Sequence, residues 1–119
     1  MKVIGIDIGT TSICGICADA ENGRIIKSVT LPNNSFISTD KDYERIQDTE
    51  IIMSAVYSLL DELDAKSADA IGFSGQMHGI VYTDAEGNAV SPLYIWQDQR
   101  GALPYKDTTY AKYLGSYPG

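Results

Sequence analysis

Val3-Ile4-Gly5-Ile6-Asp7-Ile8-Gly9-Thr10-Thr11-Ser12 decides how the rest of the chain is read. The β-branched run of Val3, Ile4, Ile6 and Ile8 predicts a buried strand. One acidic residue, Asp7, stands near its end, and the strand then breaks into a Gly-Thr-Thr-Ser turn. A carboxylate withdrawn from water is costly unless it is compensated, so Asp7 is expected to be paired or to face a metal. The turn offers successive backbone N–H groups, three hydroxyls and a glycine that permits close approach, a concavity suited to phosphate oxygens. Carboxylate and cradle together suggest a magnesium–nucleotide site. Taken alone, the same residues also describe a tight hairpin with a solvated aspartate.

The 119 residues suffice for one domain that buries roughly two-thirds of its unfolded surface. A hydrophobic fraction of 44% and a charged fraction of 21% are those of an ordinary soluble globular chain. The formal net charge of -7 argues against nucleic acid and anionic membrane partners, because affinity for phosphate backbones comes from clustered Lys and Arg. ATP is not excluded, since it needs only a local donor cluster and its own magnesium. Met1-Lys2 leads into the strand without a separate apolar leader. No apolar run approaches the ~18 residues of a membrane span, and a cytoplasmic protein is expected. Cys14 and Cys17 form a Cys-Gly-Ile-Cys pair, but residues three apart on a strand point to opposite faces. A structural zinc site would also need two further ligands, which His78 alone does not supply. Buried, inert thiols are therefore expected in place of a redox or metal pair.

In chain order, Ile13–Ala20 predicts a second strand. Glu21-Asn22-Gly23 follows as a hairpin turn, because Asn and Gly both tolerate positive φ. Arg24–Leu31 completes an antiparallel meander. Residues 32 to 47 are polar and irregular, longer than most connections. Asp48 is a good N-cap, with Glu50 placed to favour the positive end of the helix dipole. Ile52, Ala55, Val56, Leu59 and Leu63 recur at helical spacing and mark one buried face. Ala68–Ser74 predicts a strand which, reached through a helix, lies parallel to an earlier one by a right-handed crossover. A short strand at Ile80–Thr83, a turn at Asp84–Asn88 and a strand at Val90–Trp96 follow. Three antiparallel strands, a helix and a parallel strand predict the front half of a ribonuclease H-like, actin-like α/β domain. Such a domain needs further strand–helix units, so 1–119 reads as an N-terminal portion ending at Tyr117-Pro118-Gly119.

Two further clusters carry chemistry. Ser74-Gly75-Gln76-Met77-His78-Gly79 follows a strand's carboxyl end, where open α/β sheets bind ligands. Gln76 and His78 offer donors and acceptors for hydroxyls, although a lone histidine in a turn is often only a local hydrogen-bonding residue. Trp96-Gln97-Asp98-Gln99-Arg100 sets an aromatic plane beside a carboxylate and a guanidinium. Such a plane suits the apolar face of a sugar, with polar neighbours reading its hydroxyls. A core tryptophan beside a surface ion pair is the plainer alternative.

With the Asp7–Ser12 start and the Asp84-to-Gly87 turn, these clusters resemble the FGGY carbohydrate kinases in spacing and order, from residue 3 to about 100. Gln76-Met77-His78 followed by Trp96, Asp98 and Arg100 is most similar to the xylulokinase and sedoheptulokinase branches. The glycerol kinase branch carries Gln-Arg-Glu where Gln76-Met77-His78 stands. The resemblance implies two actin-like domains in a much longer chain, with sugar and ATP in the cleft between them. It implies that Asp7 lies near Mg2+ and the transferring phosphate, with Gly9, Thr10, Thr11 and Ser12 around it. Gln76, Met77, His78, Trp96, Asp98 and Arg100 would shape or support the sugar site. The family's general base is an aspartate further along, beyond Gly119, so residues 1–119 alone are expected to be inactive. A ketose, D-xylulose or sedoheptulose, is the expected substrate; glycerol, ribulose or gluconate are alternatives within the family. A non-catalytic sugar-binding or regulatory domain is the alternative outside enzymology. An open sheet edge also offers a route to a homodimer.

Overall fold

In a computed structural model of the chain, which describes residues 1–116, the opening β-branched run forms β1 (Lys2–Ile8). The terminal Tyr117-Pro118-Gly119 lies outside the described residues. Strands β2 (Ser12–Asp19) and β3 (Arg24–Pro32) follow antiparallel, with a register shift between Cys17 and Ala18. A hairpin forms at Asn-Gly as expected, but of the two residues only Gly23 takes positive φ, +72°, and its N–H donates to the Asp19 carbonyl at 2.9 Å. After a two-residue strand, β4 (Ile46–Gln47), comes the helix α1 (Thr49–Glu62). Asp48 caps it, its carboxylate accepting from the Glu50 N–H at 2.9 Å. The chain then returns as β5 (Ala70–Gly75), parallel to β1, giving the sheet order β3-β2-β1-β5. This is a mixed α/β fold.

The core lies between α1 and one sheet face. Ile52, Val56, Leu59 and Leu63 pack with Ile4 and Ile6 of β1 and with Ile13 and Cys17 of β2. The predicted helical stripe is thus the buried one, with Ala55 half-buried at its edge. A side chain at Gly15 would place its Cβ 2.7 Å from Leu63 Cδ1 and 3.0 Å from Ile6 Cδ1, so the helix sits against bare backbone there. Cys14 and Cys17 point to opposite faces, as expected. Only Cys17 is buried; Cys14 is half-buried because α1 covers one face and leaves the other open.

Three expectations change beyond the sheet. The segment 90–96 forms only β6 (Leu93–Tyr94). Pro92, without an N–H, interrupts the longer run. Ile80–Thr83 is no strand; Ile80 and Thr83 make isolated bridges to Tyr94 and Ala89. The stretch read as irregular supplies β4, which pairs antiparallel with β6 (Ile46 opposite Tyr94, Gln47 opposite Leu93). The tail adds a small pair, β7 (Pro104–Tyr105) and β8 (Thr108–Thr109), and the short helix α2 (Tyr110–Gly115). No helix among the described residues is long and apolar enough to cross a membrane.

Leu59→Ala, which empties the centre of the α1 face, is expected to lower the unfolding free energy by about 2–5 kcal/mol. Gly15→Val, which overfills it, should cost about 1–3 kcal/mol. Substitution of the exposed Tyr57 by Ala should stay within roughly 0.5 kcal/mol. Urea denaturation of the full-length protein measures all three.

Candidate functional site

The register of β1 brings two of the sequence clusters together. Ile8 pairs with Ile13 across the first hairpin and with Gly75 on the parallel side. The 9–11 turn and the segment after Gly75 therefore leave the sheet at the same end, and the Gln76 N–H extends the pairing by donating to the Ile8 carbonyl at 3.1 Å. Trp96 reaches the same place from beyond β6. A cavity of about 520 Å³ results, lined by Asp7, Gly9, Thr10, Gly75, Gln76, Met77, His78 and Trp96.

The turn is closed by the Gly9 N–H, which donates to the Ser12 carbonyl at 2.9 Å. A Cβ on Gly9 would stand 2.7 Å from that same oxygen, so glycine is required by close backbone approach. Thr10 is the hub. Its hydroxyl accepts from the Trp96 indole N–H at 3.1 Å and donates to Gln76 Oε1 at 3.0 Å. Gln76 Nε2 donates to Gln47 Oε1 at 2.9 Å, and Gln47 Nε2 donates to the Thr10 carbonyl at 2.9 Å, closing a ring. Asn33 Nδ2 holds the adjacent Gly9 carbonyl at 2.9 Å. Thr11 is exposed, and the Ser12 hydroxyl lies 3.9 Å from Cys14 Sγ; neither lines the cavity.

Asp7 departs from its expected surroundings. It is exposed at the open face of the sheet, and its Oδ1 accepts from the Ser74 hydroxyl at 2.7 Å. Its strand is buried only on the side that α1 covers, and Asp7 stands on the other side. A second hollow of about 410 Å³ continues from Asp7 along that face, past Gly5, Cys14, Ile16, Gly72 and Ser74. Met77 is 72% exposed, and His78 adopts φ +61°. Few non-glycine residues occupy that region, and they do so where the surroundings impose it.

Asp98 and Arg100 do not line the cavity; they brace it. Arg100 grips Asp98 with two hydrogen bonds, 2.7 Å from Nε and 3.0 Å from a terminal nitrogen that also reaches Glu44 at 3.0 Å. Its guanidinium lies 4.1 Å from the centre of the Tyr94 ring. The Arg45 N–H donates to Asp98 at 2.9 Å, tying the segment before β4 to the turn after Trp96. Burial pushes Asp98 up, but the Arg100 guanidinium and the Arg45 and Arg100 N–H groups outweigh it and hold the carboxyl down to about 2. The same bond to Asp98 raises Arg100 against the effect of burial. Glu44 is lowered, first by the Thr39 hydroxyl.

Sequence reading singled out neither Asn33 nor Gln47, both buried. A carboxamide in a polar stretch looks like loop until its partners are known.

Residues 2–107 match the N-terminal domain of the FGGY family of carbohydrate kinases. The xylulose kinase of Staphylococcus xylosus is 31% identical over 108 residues, covering 88% of this chain and 22% of that protein. The ligand-bound xylulose kinase structure from Lactobacillus acidophilus matches with a TM-score of 0.71 and 27% identity, over 82% of this chain and 20% of that one. The gluconate kinase structure from Lactobacillus acidophilus matches with a TM-score of 0.73 and 26% identity, over 84% and 20% respectively. The chain spans about a fifth of the length of these relatives.

A carboxylate held down in the folded state contributes its stabilisation fully above its unfolded value, about pH 4, and loses it as pH falls toward 2. Asp98→Asn is therefore expected to reduce stability by roughly 1–3 kcal/mol at pH 7. The deficit should shrink as the pH is lowered to about 3. Urea midpoints of both forms across that range test it.

Proposed function

The chain belongs to the FGGY family of carbohydrate kinases, and from that premise we propose that it is the N-terminal portion of the first, ribonuclease H-like (actin-like) domain of an ATP-dependent ketose kinase. D-xylulose is the substrate that the similarity to xylulose kinases favours, with sedoheptulose the next. One observation carries the reading: a single cavity collects Asp7, the Gly9–Thr10 turn, Gln76-Met77-His78 and Trp96. An acidic group and a glycine turn suit a magnesium-bound phosphate, while an aromatic face beside polar groups suits a sugar. Phosphoryl transfer needs such adjacency, since its catalysis is mostly positioning and charge stabilisation.

Each residue then takes a role its surroundings permit. Asp7 is exposed and has one oxygen engaged by Ser74, which suits a hydrated Mg2+ held by one carboxylate together with substrate phosphate. Bound there, the ion would neutralise charge on the transferring group. Among the described residues no three or more His, Cys, Asp or Glu side chains gather as a metal cage, and magnesium does not require one. The Thr10 hydroxyl is committed to Gln76 and Trp96, so the turn meets phosphate through backbone N–H groups, with Thr11 and Ser12 flanking them. The bond from the Trp96 N–H to Thr10 fixes the edge of the indole, and the ring, exposed and lining the cavity, is offered to the sugar. Met77 shapes the pocket, His78 reads hydroxyls, and Asp98 and Arg100 keep the Trp96 loop in place. The general base is expected in the remainder of the kinase.

Full-length protein incubated with MgATP and D-xylulose, sedoheptulose, gluconate or glycerol should release ADP with a ketose. Absence of turnover on every sugar and polyol would overturn the reading. Asp7→Asn should lower kcat by roughly 10²-fold or more, as loss of one electrostatic group does. Trp96→Ala should raise the sugar KM by roughly tenfold, about 1.4 kcal/mol, with little effect on the KM for MgATP.

A further inference from the structure

We propose that Gln47 and Asn33 are positioning residues: a pair of buried carboxamides that fixes the phosphate turn from behind and sets Gln76 and Trp96 for the sugar. The inference deepens the kinase reading above and rests on it. Gln47 is 0% exposed and Asn33 6%. Burying an amide is unfavourable unless its hydrogen bonds are met, and here they are met within the site. Asn33 donates to the Gly9 carbonyl and Gln47 to the Thr10 carbonyl, two consecutive peptides of one turn. In a planar trans peptide the C=O and the following N–H point in opposite directions. Drawing the Gly9 and Thr10 oxygens toward the buried side therefore turns the Thr10 and Thr11 N–H groups away from it. Those are the donors a phosphate would need.

Gln47 also fixes the orientation of the sugar side. By accepting from Gln76 Nε2 it leaves Gln76 Oε1 for the Thr10 hydroxyl. That hydroxyl, its proton spent on Gln76, presents a lone pair to the Trp96 N–H. A change at Gln47 thus passes through Gln76 and Thr10 to the indole. Gln47 itself is held by β4 pairing with β6 and by Asp48, the cap of α1, whose N–H binds the Ser35 carbonyl at 2.7 Å. Ser35 in turn hydrogen-bonds Asn33. The clamp is therefore anchored between the end of β3, the short β4–β6 pairing and the cap of α1, and its own hydrogen bonds hold the rest.

The test uses the full-length kinase with Gln47→Leu and Gln47→Glu, followed by kinetics and amide hydrogen exchange. Gln47→Leu should fold and lose kcat by roughly 10²-fold, as misplacement by about 1 Å does. Its amides at residues 9–12 and 76–78 should exchange faster, while those of the β1–β2 core keep the wild-type rate. Gln47→Glu supplies a signature that simple loss of packing would not. Its carboxylate still accepts from Gln76 but cannot donate to Thr10, whereas the protonated form can. Its activity relative to wild type should therefore rise as pH falls from about 8 to about 6, since burial raises a carboxyl pKa. Asn33→Asp should behave likewise, mainly in the KM for MgATP. Wild-type kcat and exchange in a folded Gln47→Leu protein would overturn the clamp; if that protein does not fold, a pH-independent ratio for Gln47→Glu would do so. A wild-type enzyme without sugar turnover would instead sink the kinase reading, and the local exchange rates would still decide the clamp.

Discussion

Everything at the site depends on one residue's pairing: Ile8, antiparallel to Ile13 on one side and parallel to Gly75 on the other. Strand hydrogen bonds are directional and their register is discrete, so a slip by one residue would reverse every side chain of β1. The register that buries Ile4 and Ile6 under α1 also sends Asp7 to the opposite face, beside Ser74. Core and chemistry are thus set by the same choice. The hydrophobic demand of α1 fixes which face is buried, and the period of two along β1 delivers the carboxylate to the other.

The second support is the loop scaffold that carries Trp96. A two-residue pairing such as β4 with β6 contributes little by itself, and the charged cluster behind it supplies what regular hydrogen bonding does not. Arg100 is held by a bidentate carboxylate, a second acid and an aromatic face. The planar guanidinium suits that combination, whereas a lysine would match only the charge. The motif residues Asp98 and Arg100 therefore act at one remove, joining the chain before β4 to the chain after Trp96.

How far the sequence discloses this arrangement depends on the range over which each signal acts. The β-branched run, the Asn-Gly turn, the Asp48 cap and the 52–63 stripe are local, and each forms where its residues indicate. The order of meander, helix and parallel strand follows from connection lengths. The β4–β6 pairing is not local: two residues carry no period, and Pro92 hides the partner in a longer apolar run. The exposure of Asp7 was also out of reach, because an alternating strand and a fully buried one look alike when glycine, alanine and β-branched residues fill both faces. The motif residues stand out as a set, but which of them face the cavity and which stand behind it is decided by contacts 24 to 86 positions apart.

The division between those two groups comes from counting protons. A threonine hydroxyl has one hydrogen to give, and Thr10 gives it to Gln76, so its remaining capacity is as an acceptor, used by Trp96. Gln76 spends its oxygen on Thr10 and one of its two N–H donors on Gln47, so it is braced in place and keeps one N–H to offer. Thr10, Gln76, Gln47 and Asn33 are consequently the fixed frame. Asp7, Met77, His78 and the Trp96 face are the groups still open toward the cavity. A frame braced by its own hydrogen bonds has little to rearrange, so the geometry at the mouth of the cavity is set in advance by folding.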